Sequence, residues 1–179
     1  MPQLVAFQPE PWLNGITLQC TADWSAGRLD LHYRLAGALH TMLLPALAER
    51  PQRCDGLWQS SCFEAFFGQP QDPGYWELNV APSGDWNLYR LSGYRRDLTP
   101  ELRVSALAPT WKRTAEQLEL DLSLDLAKLI APSSSLELSI TAVLEQREHG
   151  CSYWAVHHTG PEPDFHRRDS FSALSHPGA

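Results

Sequence analysis

From Leu118 to Leu124 the chain reads LELDLSL, a leucine at every second position with a single polar residue between. Successive side chains of an extended chain point to opposite faces, so this period of two specifies a strand with one buried and one wet face. The pattern recurs. Ile16 to Ala22 sets Ile16, Leu18, Cys20 and Ala22 against Thr17, Gln19 and Thr21, and Arg28 to Leu35 places Leu29, Leu31, Tyr33 and Leu35 on one face. Trp24 to Gly27 turns the chain between these two runs, which predicts a hairpin. Ser135 to Leu144 alternates again, with Leu136, Leu138, Ile140 and Ala142 opposed to Glu137, Ser139 and Thr141.

Helical signals are few, and 14 prolines and 11 glycines scattered along the chain break it into short segments. Asp125 is placed to cap a short helix from Leu126 to Ile130 that Pro132 ends. Leu39 to Arg50 is apolar but cut by Pro45, a pattern open to a short helix, an edge strand or a packed loop. Further short strands are expected at residues 3 to 7, at Arg103 to Leu107, at Cys151 to Val156 and near Ser170 to Leu174. The last lies in a loop-rich tail, Gly160 to Ala179, anchored by Phe165 and Phe171. About ten short strands and at most one or two short helices predict an all-β fold, an antiparallel β-sandwich of jelly-roll type. Its length of 179 residues points to one domain over residues 1–179.

Composition narrows the function classes. A formal net charge of -7 argues against a nucleic-acid partner, because phosphate binding needs a concentrated basic surface; the one basic cluster, Arg95-Arg96 near Arg90, is followed at once by Asp97. There is no apolar run of about twenty residues to span a membrane. Met1 to Val5 lacks a basic segment leading into an apolar one, so the expectation is no signal peptide and a cytoplasmic location. The cysteines at 20, 54, 62 and 151 form no CxxC pair, and no phosphate-cradling, nucleophile-elbow or zinc-protease signature occurs.

Aromatic mass and carboxylates meet between Leu57 and Arg96. Read as strands, Cys62 to Phe67 puts Phe63, Ala65 and Phe67 on one face and Cys62, Glu64 and Phe66 on the other. After a loop from Gln69 to Gly74, Trp76, Leu78 and Val80 make a core face, and Tyr75, Glu77 and Asn79 point away from it. Pro82 to Asp85 is a tight turn into a third strand, Trp86 to Leu91, giving a β-meander with Glu64, Glu77, Asn79 and Arg90 as candidates for a shared face.

Several chemistries are compatible with these residues. Glu64 and Glu77 could form the carboxylate pair of a glycosidase, or else a hydrogen-bonded structural acid beside a solvated one. Enclosure of Glu64 by Phe66 and Trp58 without a cation would raise its pKa. His157 and His158 are adjacent and face opposite ways on a strand, so a metal would need one of them with Asp164 and His166; no recognised ligand spacing is present and no metal is expected. A haem reading needs axial ligands, His with Met or His with His, and the only internal methionine, Met42, lies beside His40. Trp76 reads as core, whereas Trp58 and Trp154 stand beside polar turn sequence, where an exposed ring can stack on a sugar.

Trp58-x5-Glu64 within LWQSSCFEAFF, then YWELNVAPSGDWNLYRLSGYR and SYWAVHHTGPEPDFHRRDSF, together resemble the DOMON-like proteins, which are related to family 9 carbohydrate-binding modules. The likeness runs from about Leu57 to Phe171. It implies two stacked antiparallel sheets with a ligand cleft on a sheet face, in which two tryptophans sandwich a sugar and an acid binds its hydroxyls. Trp58 and Glu64 match one such tryptophan and the acid, Trp154 the second tryptophan, and Asn79 and Arg90 polar partners. The expectation is a non-enzymatic domain with no cofactor, binding a small saccharide or polyol through Trp58, Glu64, Glu77, Asn79, Arg90 and Trp154. Haem or another apolar cofactor in the same cleft, and glycoside hydrolysis by Glu64 and Glu77, are the alternatives.

Overall fold

Residues 1–174, the part of the chain described by the computed structural model, carry twelve strands and no α-helix. The strands are β1 (Gln3–Ala6), β2 (Thr17–Ser25), β3 (Arg28–Ala36), β4 (Cys62–Gly68), β5 (Tyr75–Val80) and β6 (Trp86–Leu91). They continue as β7 (Thr99–Pro100), β8 (Thr110–Arg113), β9 (Gln117–Asp125), β10 (Leu136–Gln146), β11 (Gly150–Ala155) and β12 (Ser172–Leu174). All neighbours pair antiparallel, in the order β7-β6-β5-β4-β10-β11-β1-β2-β3-β9-β8. β12 joins the end of β10 through Leu136 to Leu138, on the flank that β11 takes farther along.

The long sheet curls on itself at β1. Gln3 and Leu4 pair with β2, whereas Val5 and Ala6 pair with β11, so this short strand belongs to both layers. The first layer is then β8, β9, β3 and β2, the second β7, β6, β5, β4, β10 and β11, and together they make the expected β-sandwich. The alternating apolar residues meet between the layers. Leu18, Leu29, Leu31, Leu35, Leu120 and Leu122 come from the first, and Phe63, Phe67, Trp76, Leu78, Leu138 and Leu144 from the second. Each fully buried leucine or phenylalanine of this kind stabilises by roughly 1.5–3 kcal/mol.

Local sequence explains most elements. Between β2 and β3 the two central turn residues, Ala26 and Gly27, have φ of 50° and 80°, the left-handed pair that a two-residue hairpin with the right strand twist requires. The helix expected from Leu126 to Ile130 is a single turn: Asp125 accepts from the Ala127 N–H at 3.0 Å as a cap would, but the amides of Leu129 and Ile130 both return to the Leu126 carbonyl. Five residues before Pro132 are too few to repay helix nucleation. Arg103 to Leu107 is irregular, with the Val104 carbonyl taken by the Arg53 guanidinium instead of a strand partner. Leu39 to Arg50 proves to be a packed loop entered by one 3-10 turn, Leu39–Thr41, with Leu39, Met42 and Leu44 plugging the end of the core. The tail strand is Ser172–Leu174, and the reading of residues 175–179 as loop lies outside the described residues.

The two layers differ on their outward sides. β9 alternates buried and half-exposed or exposed positions, but every residue of β4 and β5 is buried. A second, smaller cluster of Phe66, Tyr75, Tyr89, Leu91, Val143, Ala155 and Phe165 forms there, outside the sandwich core. It is roofed by the 3-10 turn Leu57–Gln59, by the loop after β6 and by the segment before β12.

Candidate functional site

Under that roof lies a cleft of about 350 Å³. Strand pairing builds its floor: Glu64 on β4 stands opposite Asn79 on β5 and Thr141 on β10, and Glu77 stands opposite Phe66 and Tyr89. Glu64 and Glu77 are therefore diagonal neighbours on one face, about 7–8 Å apart at the backbone. Glu64 is only 2% exposed and Glu77 only 5%.

The two acids are unequally served. Glu64 Oε2 accepts from the Thr141 hydroxyl at 3.4 Å, and Oε1 has no hydrogen-bond partner. Burial, and then the neighbouring Glu77 charge, push the Glu64 carboxyl well above the ordinary glutamate range. Glu77 Oε1 accepts from the Asn79 amide at 2.8 Å, and burial raises its pKa too. Its Oε2 lies 3.9 Å from His166 Nε2. Burial lowers the His166 pKa to about 4, so the ring is neutral at neutral pH. The Tyr75 hydroxyl accepts the Arg95 backbone N–H at 3.2 Å and sits 2.8 Å from His166 Nδ1. The arrangement that satisfies these groups has the hydroxyl donating to Nδ1, which leaves Nε2 as the N–H turned toward Glu77.

Flat rings and one cation complete the walls. Trp58 rides on the 3-10 turn Leu57–Gln59, which the chain enters through Gly56 at φ +73°, a conformation that favours glycine. Its ring packs edge-on to Tyr89 at 5.8 Å and stays 37% exposed. Tyr89 is held in turn by its hydroxyl, which donates to Asp55 Oδ1 at 2.7 Å. Opposite stand Tyr153, 39% exposed, and Phe165. Arg95 lines the cleft but is committed to Asp164, whose carboxylate also accepts from the Tyr94 hydroxyl.

Four of the six residues expected at a site are thus brought together: Trp58, Glu64 and Glu77 line the cleft, and Asn79 supports Glu77 from behind. The other two face elsewhere. Trp154 is 4% exposed and packs in the sandwich core, its indole N–H donating to Ser152 at 2.9 Å. Strand parity is the reason: in β11 the outward residue is its neighbour Tyr153. Arg90 stands opposite Trp76 in the ladder and lays its guanidinium over that indole at 4.2 Å, reaching Asp72 at 3.5 Å. It shares the face of Trp76, not that of Glu77.

Neither haem candidate lines the cleft, since Met42 is buried in the main core and His40 is exposed on a 3-10 turn at its end. His158 Nε2 lies 3.0 Å from the Val5 carbonyl, and Asp164 is engaged by Tyr94 and Arg95. Among the described residues no three His, Cys, Asp or Glu side chains gather as metal ligands. Tyr153, Phe165 and Arg95 were not legible as site residues, and His166 was visible only as a metal candidate.

No protein-family model matches the chain, and no curated protein matches it. Solved structures do. A candidate carbohydrate-binding protein from Bacteroides uniformis superposes with a TM-score of 0.75 at 14% identity, over 97% of this chain and 84% of the other. A family 9 carbohydrate-binding module from Caldicellulosiruptor kristjanssonii, in complex with glucose, gives a TM-score of 0.58 at 10% identity over 100% of this chain and 83% of that one. Its complex with cellotriose gives 0.59 at 10% identity, over 99% and 82%. The chain therefore has a carbohydrate-binding-module-like fold.

Proposed function

We propose that the cleft binds a small saccharide or polyol and does not transform it, and that the chain is a distant DOMON-like relative of family 9 modules. The observation that carries this reading is the meeting, on one sheet face, of a half-exposed tryptophan ring with buried hydrogen-bonding acids. A pyranose has an apolar face that stacks on an indole and an edge of hydroxyls that needs fixed donors and acceptors. Trp58 offers the first. Glu64, Glu77, His166 Nε2 and Arg95 offer the second. The volume of about 350 Å³ is at the small end of the roughly 300–1,000 Å³ of ligand sites, the scale of a sugar unit or two and below that of a macrocycle. The glucose and cellotriose bound to modules of the same fold support the ligand class.

The position of the acids supports binding without hydrolysis. Glycosidases place two carboxyls on either side of the scissile bond, one ionised and one protonated. Here both rise from a single sheet surface and both are pushed toward the neutral form. Titration calorimetry across mono- and disaccharides tests the reading, with heat expected for at least one sugar and its loss in Trp58→Ala. Silence with every sugar, or undiminished binding by that variant, refutes it. Release of chromophore from aryl glycosides, abolished by Glu64→Gln, would instead establish the hydrolase.

A further inference from the structure

The cleft floor holds more acceptor capacity than its own side chains use. Glu64 Oε1 is buried and unpartnered, and Glu77 Oε2 has only the neutral His166 ring, at 3.9 Å, facing it. Arg95, the one cation lining the cleft among the described residues, is paired with Asp164 at 2.9 Å, though its charge still lowers the Glu77 pKa. Two diagonal acids thus share a niche in which, among the described residues, no arginine or lysine is ion-paired to either: burial raises both pKa values, and the Arg95 charge offsets this only in part at Glu77. Around them stand Trp58, Tyr153 and Phe165, rings whose faces attract cations.

A sugar hydroxyl satisfies such a floor poorly. It is uncharged and leaves both acids in the protonated form that burial favours, whereas an ammonium brings three N–H donors, no lone pair and a charge that draws them back to carboxylates. We infer that the cleft selects saccharides bearing a free amino group, with that group seated between Glu64 and Glu77 and the ring against Trp58. This rests on the saccharide reading and narrows its ligand class. An N-acetylated sugar keeps the ring but lacks both the charge and two of the donors, so it falls with the neutral sugars.

The test is calorimetric titration of the full chain with D-glucosamine, D-glucose, N-acetyl-D-glucosamine and n-butylamine at about pH 6.5, below the ordinary range of such amines. Glucosamine is expected to bind at least about tenfold tighter than glucose or the N-acetyl sugar, as a charge-assisted contact to buried acids implies. In Glu77→Gln, nearly the same shape without the charge, that preference is expected to fall to about twofold or less, with circular dichroism reporting that the variant is folded. Equal affinity for glucosamine and glucose overturns amine selection and leaves saccharide binding standing. Butylamine binding as tightly as glucosamine overturns the saccharide reading and this inference with it, and so does silence with all three sugars.

Discussion

The outward faces of the two layers are built from similar residues and have opposite fates. On β3 and β9 the polar side chains pair across strands in contact with water: His32 with Asp121 at 2.6 Å, Arg34 with Gln117 at 2.8 Å, Arg28 with Ser123 at 3.1 Å. On β4, β5 and β10 an equally polar set, Glu64, Glu77, Asn79 and Thr141, is sealed beneath a roof of loops. In the first setting a polar residue contributes little either way. In the second, each unmet hydrogen bond costs about 1–3 kcal/mol, and an incoming ligand can remove that cost. The alternation is common to both layers, and what differs is that the polar side chains of the second are buried.

The largest test of this contrast is truncation on each face. Phe66→Ala, at a buried outward position of β4, is expected to lower stability by about 3–5 kcal/mol, whereas Thr17→Ala, at an exposed outward position of β2, stays within about 0.5 kcal/mol. Denaturant melts with equal losses for the two would mean the roof does not seal the second sheet.

Next comes Glu64→Gln, expected to raise the stability of the unliganded protein at neutral pH, because a neutral amide removes the cost of keeping a buried acid protonated or burying its charge. The pH dependence sharpens it. Glu64 and Glu77 hold protons more tightly folded than unfolded, so their contribution is complete below the ordinary value of 4.5 and is lost as pH rises through their raised folded values. His166, lowered from 6.5 to about 4, contributes stability above 6.5 that is lost as pH falls toward 4. The two trends oppose each other in the wild type. Thermal melts of Glu64→Gln should therefore climb more steeply between about pH 4 and 6.5 than those of the wild type, and parallel curves would contradict the assignment.

Smaller effects follow. Trp58→Ala is expected to cost about 1 kcal/mol or less in stability, since its ring is 37% exposed, while abolishing sugar heats; a loss of several kcal/mol would make it a core residue. Smallest is Asp121→Asn on the open face, expected to change stability by about 0–1 kcal/mol despite its short contact with His32. A larger change in chemical denaturation would erase the distinction between the two faces.

Where one face is apolar and the other polar, the sequence already reads correctly. LELDLSL could face only one way, and Glu64, Glu77 and Asn79 were placed together by counting in twos along two strands. The count fails where both faces are aromatic or apolar: SYWAV offers no contrast between Tyr153 and Trp154, and the wrong ring was assigned to the cleft. Arg90 was misplaced by chemistry, because a charged residue beside a core tryptophan reads as outward until the ladder sets it opposite Trp76. The walls were beyond any local pattern. Tyr75 and His166 lie 91 positions apart, and no periodicity links residues that meet only after the tail crosses the sheet.

The clasp at β1 has a consequence for how the chain is made. Val5 and Ala6 are synthesised well before their neighbours Ala155 and Trp154. The join between layers must therefore wait until β11 has left the ribosome, and until then the strands made earlier stand as an unlatched sheet.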